Sequence, residues 1–63
     1  MILVSDVKQG MIIDYGSTEN LYVVISIRPL YDMVRIEVLS LSTAQLFDWT
    51  LESTYKLHAD LVM

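Results

Sequence analysis

Apolar and polar residues alternate with a period of two along several short segments of this chain, and turn-forming residues separate the segments. The cleanest alternation covers residues 46–52. One phase of that segment holds Phe47, Trp49 and Leu51, and the other holds Asp48, Thr50 and Glu52. Because successive side chains of a β-strand point to opposite faces, this pattern predicts a meander of short antiparallel strands.

Turn residues set the bounds of five predicted strands. These are residues 11–15, 21–28, 33–41, 46–52 and 58–62. The first follows a turn that closes on Gly10, and the loop at 16–20 ends it. Pro29 has no backbone N–H for a sheet, so residues 29–32 are expected to connect the second and third strands. Residues 53–57 are expected to form a tight turn or a single 3₁₀ turn.

The second strand has apolar residues in both phases, and the phase with more apolar residues is the better candidate for the core-facing side. We expect Leu21, Val23, Ile25 and Ile27 to face the core, with Tyr22, Val24, Ser26 and Arg28 on the other face. Tyr22 and Val24 would then need cover, which a symmetric dimer would supply.

The third strand changes phase near its end. Val34, Ile36 and Val38 alternate with polar residues, after which Leu39 and Leu41 take over the apolar phase. One extra residue on a strand is what a β-bulge inserts, so this break predicts a bulge that bends the strand and helps the sheet to close. The expected fold class is therefore all-β, a small five-stranded SH3-like barrel formed by residues 1–63 as a single domain.

A family resemblance points to the same fold. It rests on residues 5–13 (SDVKQGMII), 20–24 (NLYVV) and 50–52 (TLE), followed by Lys56 and Leu57. In these features the chain resembles the N-terminal KOW-like domain of translation elongation factor P, which is an SH3-like barrel. The family presents a functional lysine between glycines after its second strand, whereas residues 28–32 here contain none. The resemblance therefore implies the fold and not the ribosomal activity.

Composition limits how such a chain is stabilised. The chain has 63 residues, no cysteine and one histidine, so neither a disulfide nor a histidine and cysteine metal site is expected, and oligomerisation remains. Hydrophobic residues make up 54% of the chain, which should leave apolar surface uncovered. The longest uncharged run is too short to cross a bilayer and no signal peptide is evident, so we expect a cytoplasmic protein without membrane contact.

Charge and residue types exclude several functions. Eight acidic against four basic residues give a net charge of −4, which disfavours binding to a phosphate backbone. The only pair with acid–base chemistry is His58 and Asp60, and one such pair is far short of a catalytic site. The carboxylates are scattered, so we predict no metal, no cofactor and no enzymatic activity.

The candidate binding residues are Arg28, Tyr31, Arg35, Tyr22 and Trp49. Tyr31 lies in a proline-containing loop, and Arg28 and Arg35 flank that loop, so the three would form the one basic and aromatic patch of the chain. Arg35 could equally pair with Glu37 or with a carboxylate on a neighbouring strand. Trp49 is favoured as a core residue because a small barrel needs a large side chain to fill it.

These observations favour a protein-interaction module, an accessory or virus-encoded protein that binds a partner or a second copy through an apolar face. The first alternative is a KOW-like or Tudor-like nucleic-acid-binding domain that uses the arginine patch. The second is an acidic nucleic-acid mimic that inhibits a host enzyme, which requires the outward phases of Asp14, Asp48, Thr50 and Glu52 to share one face.

Overall fold

The computed structural model describes residues 1–16 and 20–62. The described chain is mostly β-strand. In chain order the strands are β1 (Ile2–Leu3), β2 (Ile12–Asp14), β3 (Leu21–Leu30), β4 (Met33–Ser40), β5 (Leu46–Glu52), β6 (Lys56–Leu57) and β7 (Asp60–Leu61). One 3₁₀ turn (Val4–Asp6) follows β1. None of the helical structure in the described residues has the length and apolar character that a bilayer crossing requires.

Five strands form one antiparallel sheet in the order β5-β4-β3-β2-β7, and β1 pairs separately with β6. The predicted all-β class with a five-stranded antiparallel sheet is confirmed. The predicted closure into a barrel is wrong, because in the described residues β5 pairs only with β4 and β7 pairs only with β2. The sheet therefore has an edge at each side.

The bulge that bends the sheet lies in β3 and not in the third predicted strand. Val24 pairs with Val38, and the next residue of β3 to pair is Ser26, opposite Glu37, so Ile25 is the extra residue. The phase assigned to this strand is therefore wrong before the bulge. Val24 is buried and Ile25 is exposed. The extra residue at the bulge restores the predicted phase after it, so that Ile27 lies on the same face as Val24.

Pro29 belongs to β3, contrary to its predicted place in the connection. It pairs in register with Val34 near the end of the β3–β4 hairpin. The backbone bond from the Leu41 N–H to the Leu21 carbonyl, 2.9 Å, shows that the odd-numbered residues of β4 bond to β3. Pro29 is opposite the even-numbered Val34, so its nitrogen faces away from β4 and toward the side of β2. Strand β2 pairs only with residues 21–23 of β3, so the missing N–H of Pro29 leaves no sheet hydrogen bond unmade.

The two-stranded sheet and the 3₁₀ turn cover the inner face of the large sheet, defined as the face that carries Val34, Ile36 and Val38. The buried core consists of Ile2, Val4, Val7, Ile13, Val24, Val34, Ile36, Val38, Leu57 and Ala59. The opposite, outer face of β4 carries Arg35 and Glu37.

The termini differ from the prediction in three places. Strand β1 and its 3₁₀ turn were not expected, and Lys56 and Leu57 form β6 where only a turn was predicted. The last strand is shorter than predicted and covers Asp60–Leu61. The predicted loop at 16–20 lies partly outside the described residues. The short β1 and β6 segments have no alternation long enough to be recognised from sequence.

Candidate functional site: an aromatic cluster beside a free sheet edge

Four aromatic side chains meet on the inner face of the sheet, and we call them the aromatic cluster: Tyr15, Tyr22, Phe47 and Trp49. Each follows the strand alternation. Tyr22 pairs with Ser40 and is two residues before Val24, and Trp49 pairs with Ile36. Tyr15 comes two residues after the buried Ile13, so all four share the face of the core.

The rings of the aromatic cluster contact one another edge to face. Tyr22 is central, with ring centroids 5.3 Å from Trp49, 5.7 Å from Tyr15 and 6.3 Å from Phe47. Tyr15 and Trp49 lie 5.8 Å apart. These are the separations and orientations that aromatic pairs prefer, and such pairs stabilise a fold beyond the area they bury.

The aromatic cluster is only partly covered. Tyr15, Tyr22 and Trp49 are half-buried and pack against the core. Phe47 is 41% exposed at the rim, on the strand that forms the sheet edge. An edge strand that carries exposed aromatic surface is a common feature of protein contact sites.

The phenol of Tyr15 is held in its neutral form by its surroundings. Burial raises the pKa of Tyr15 above its ordinary value of 10.0, and the nearby Tyr55 and Tyr22 raise the pKa further. The phenol is neutral at neutral pH in any case, and the raised pKa extends its neutral form further into alkaline solution.

The edge of β5 is open along its length. The Ser40 N–H donates to the Gln45 carbonyl at 2.8 Å and the Ser53 N–H donates to the Asp32 carbonyl at 2.8 Å, so the odd-numbered residues of β5 bond to β4. The even-numbered residues direct their backbone groups away from β4. We call these four the β5 edge: Leu46, Asp48, Thr50 and Glu52.

The β5 edge residues are all exposed. In the part of the chain that the structure describes, their one recorded outward backbone bond is the Tyr55 N–H to the Glu52 carbonyl, at 2.9 Å. β5 also contains no proline, no lysine and no bulge, which are the usual devices that protect an edge strand from pairing.

The predicted arginine patch forms only in part, and on the outer face. Arg28 is directly opposite Arg35 in the β3–β4 register. The Arg35 guanidinium donates to the Asp48 carboxylate at 2.8 Å, and this hydrogen bond and the charge of Asp48 raise the pKa of Arg35. A shallow depression of about 260 Å³ lies here, lined by Ser26, Arg28, Arg35, Glu37 and Asp48. Two carboxylates thus balance the two cations.

Tyr31 is at the tip of the β3–β4 hairpin and is fully exposed, with a backbone φ of 57°. The Arg28 and Arg35 pair is the third residue pair from this tip, and Arg28 is three residues from Tyr31, which corresponds to roughly 10 Å of strand. Tyr22 and Trp49 lie on the inner face. The five predicted binding residues therefore divide between two faces and a hairpin tip.

The predicted acidic surface is also divided. Asp48, Thr50 and Glu52 share the outer side of β5, whereas Asp14 belongs to β2, three strands away in the sheet. His58 and Asp60 line a shallow depression of about 200 Å³ together with Asp14. In the described residues no group of three or more metal-ligating side chains is present.

Sequence reasoning did not include Tyr15 and Phe47 among the site residues. Phe47 shares its phase with Trp49, and Tyr15 shares its phase with the buried Ile13. That phase was the available signal, but the meeting of aromatic side chains from β3, from β5 and from the residue after β2 depends on strand order.

Comparison of the chain with protein-family models, with curated proteins and with solved structures gives no match. The resemblance to the elongation factor domain therefore stays a prediction, and the function has to be inferred from the residues of this chain.

Proposed function

We propose that this protein is a small, non-enzymatic protein-interaction module that binds through the aromatic cluster and the adjoining strand β5. The observation that carries the proposal is the position of the aromatic cluster: half-buried rings end at the exposed Phe47, on a strand whose far side has open hydrogen-bonding groups. A partner could bury the rings and pair with the strand at the same time.

The electrostatics of the outer face favour this proposal over nucleic-acid binding. Asp48 neutralises Arg35 at 2.8 Å, and Glu37 lines the same depression. A protein that binds nucleic acid needs unpaired basic side chains to neutralise phosphates and displace their counterions. The net charge of −4 adds a general repulsion.

The test is affinity capture from a host lysate with wild type, Phe47→Ser and Leu30→Ser as bait. Phe47 and Leu30 have the same exposed fraction, 41%, but Leu30 lies at the far end of the β3–β4 hairpin and outside the aromatic cluster. We expect wild type and Leu30→Ser to retain a partner through nuclease and high salt, and Phe47→Ser to lose it.

The indole of Trp49 gives a direct second readout, since it is the single tryptophan. Purified partner should shift its fluorescence in wild type and in Leu30→Ser. Material that disappears on nuclease treatment, or a partner that Phe47→Ser and wild type bind equally well, would overturn the proposal. The first of these results would favour a nucleic-acid-binding domain and make Arg28 and Arg35 the residues to change.

A further inference from the structure

The β5 edge offers a template for another strand. Its four residues point N–H groups away from β4, and the carbonyls of Leu46, Asp48 and Thr50 point the same way. Seven consecutive residues of β5 are in regular strand conformation, so an incoming strand could pair along the whole length.

We propose that a second copy of this chain occupies the β5 edge, with the two β5 strands antiparallel about a two-fold axis at Trp49. This inference rests on the proposed function, because it names the partner of the same strand. An isologous contact needs a surface that is complementary to itself, and β5 meets that condition in one register.

The charges on β5 select the register. Pairing through the outward groups places even-numbered residues opposite even-numbered residues. An axis at Asp48 sets Asp48 against Asp48 of the second copy, and an axis at Thr50 sets Asp48 against Glu52 of the second copy. Like charges directly opposite each other destabilise a sheet.

An axis at Trp49 avoids both conflicts. It sets Asp48 against Thr50 of the second copy, and Leu46 against Glu52 of the second copy. It also overlaps all seven residues of β5, whereas an axis at Phe47 or Leu51 leaves part of each strand unpaired. Asp48 and Thr50 of the second copy then exchange both backbone hydrogen bonds, and the Glu52 N–H donates to the carbonyl of Leu46 of the second copy, since the Glu52 carbonyl already accepts from the Tyr55 N–H.

The same register joins the two aromatic clusters. Trp49 comes opposite Trp49 of the second copy, and Phe47 comes opposite Leu51 of the second copy, all on the inner face. These are non-hydrogen-bonded positions, where facing side chains approach most closely. The exposed surface of Phe47 is thereby covered by apolar surface, which a monomer leaves in water.

The first experiment measures the mass of the untagged protein in solution by sedimentation over a range of concentrations. We expect a reversible monomer–dimer equilibrium in the wild type. Leu46→Lys and Leu46→Glu then form a matched pair. Position 46 faces Glu52 of the second copy, and its neighbour on β4 is the uncharged Leu39, so the dimer contact is the one that senses the new charge. The lysine variant should dimerise about tenfold more tightly than the glutamate variant.

A control separates this local effect from net charge. Gln9→Lys and Gln9→Glu make the same charge changes in the exposed turn before β2, away from the β5 edge. We expect these two variants to differ much less in their dimerisation. Equal differences at positions 9 and 46 would overturn the proposed register.

The second experiment reads the register by disulfide formation, for which the natural chain is free of cysteine. Asp48→Cys and Thr50→Cys are oxidised separately and mixed, and the products are identified by mass. An axis at Trp49 predicts the mixed disulfide. An axis at Asp48 predicts the Asp48→Cys homodimer, and an axis at Thr50 predicts the Thr50→Cys homodimer, because only directly paired residues meet the Cα distance a disulfide needs.

Failure of this inference can be told from failure of the proposed function. A wild type that stays monomeric at every concentration overturns the self-pairing. Cysteine variants that give homodisulfides only overturn the register with its axis at Trp49. If Phe47→Ser still loses a captured partner that Leu30→Ser retains, the interaction module stands with a different partner. If wild type is monomeric and captures nothing that depends on Phe47, both proposals are wrong.

Discussion

The ring of Trp49 on β5 meets the ring of Tyr22 on β3 across the intervening strand β4, with centroids 5.3 Å apart. Adjacent strands are about 4.8 Å apart, so two side chains on strands separated by a third must be large and must lean toward each other to touch. Small side chains could not bridge β4 in this way. This contact links the outermost strand to the centre of the sheet.

We therefore expect Trp49→Ala to lower the free energy of unfolding by about 3 kcal/mol, because it removes a large half-buried side chain and its contacts with Tyr15 and Tyr22. Urea unfolding followed by circular dichroism measures this, since the variant has no tryptophan. Tyr31→Ala, at a fully exposed position, is the control. Similar losses for the two variants would contradict the packing described.

The bulge in β3 predicts opposite results for two neighbouring residues. Val24 is buried at 1% exposure and Ile25 is 37% exposed. Val24→Ala should lower the free energy of unfolding by about 2 kcal/mol, and Ile25→Ala by less than about 1 kcal/mol. Urea midpoints of the two variants decide between the bulge and the simple alternation, because alternation without a bulge predicts the reverse order.

Replacing Tyr31 by glycine at the β3–β4 hairpin turn should make the protein more stable. A φ of 57° is in the left-handed region, which costs a residue with a Cβ atom about 1 to 2 kcal/mol. Tyr31→Gly should therefore raise the free energy of unfolding by up to about 1 kcal/mol after the greater flexibility of the unfolded chain is subtracted. Tyr31→Ala keeps the Cβ atom and should give no such gain in the same urea experiment.

Stability should fall in alkaline solution because of Tyr15. Burial raises the pKa of Tyr15 in the folded state above 10.0, so the folded protein holds this proton more tightly than the unfolded chain. The contribution is complete below pH 10.0 and is lost as pH rises through the folded pKa. Tyr15→Phe should lose less stability than wild type between neutral pH and the range above 10.0.

The control for that experiment is Tyr31→Phe, because Tyr31 is exposed and lies outside the aromatic cluster. We expect its alkaline loss of stability, measured by urea midpoints at the two pH values, to match that of wild type. A Tyr15→Phe variant that loses as much stability as wild type would contradict the burial of this phenol.

Periodicity predicted β5 and most of β4 well, because each strand is apolar in one phase and polar in the other. It failed for β3, where residues 21–25 are apolar or aromatic in both phases, so that alternation could not locate the bulge. The place of Pro29 was wrong for a different reason. Whether a strand tolerates proline depends on the length of its neighbour, and no local pattern gives the end of β2.

The candidate site was predicted only as separate residues. Arg28 and Arg35 were expected near each other, and the structure pairs them, but Asp48 comes from β5 and joins them through the strand order. Tyr22 and Trp49 were candidates without any known relation between them. Their contact requires two strands to be placed on either side of β4, which is a property of topology and not of spacing.

The order of strands in the sheet also has a consequence for the folding pathway. Strands β2 to β5 are neighbours in sequence as well as in the sheet, so their hairpins close short loops at small entropic cost. By contrast, the pairs Ile2–Leu57 and Ile13–Leu61 join opposite ends of the chain. Contacts of such long separation form late, so we expect the central meander to form the folding nucleus. Substitutions in β1 should then mainly speed unfolding and leave the folding rate almost unchanged.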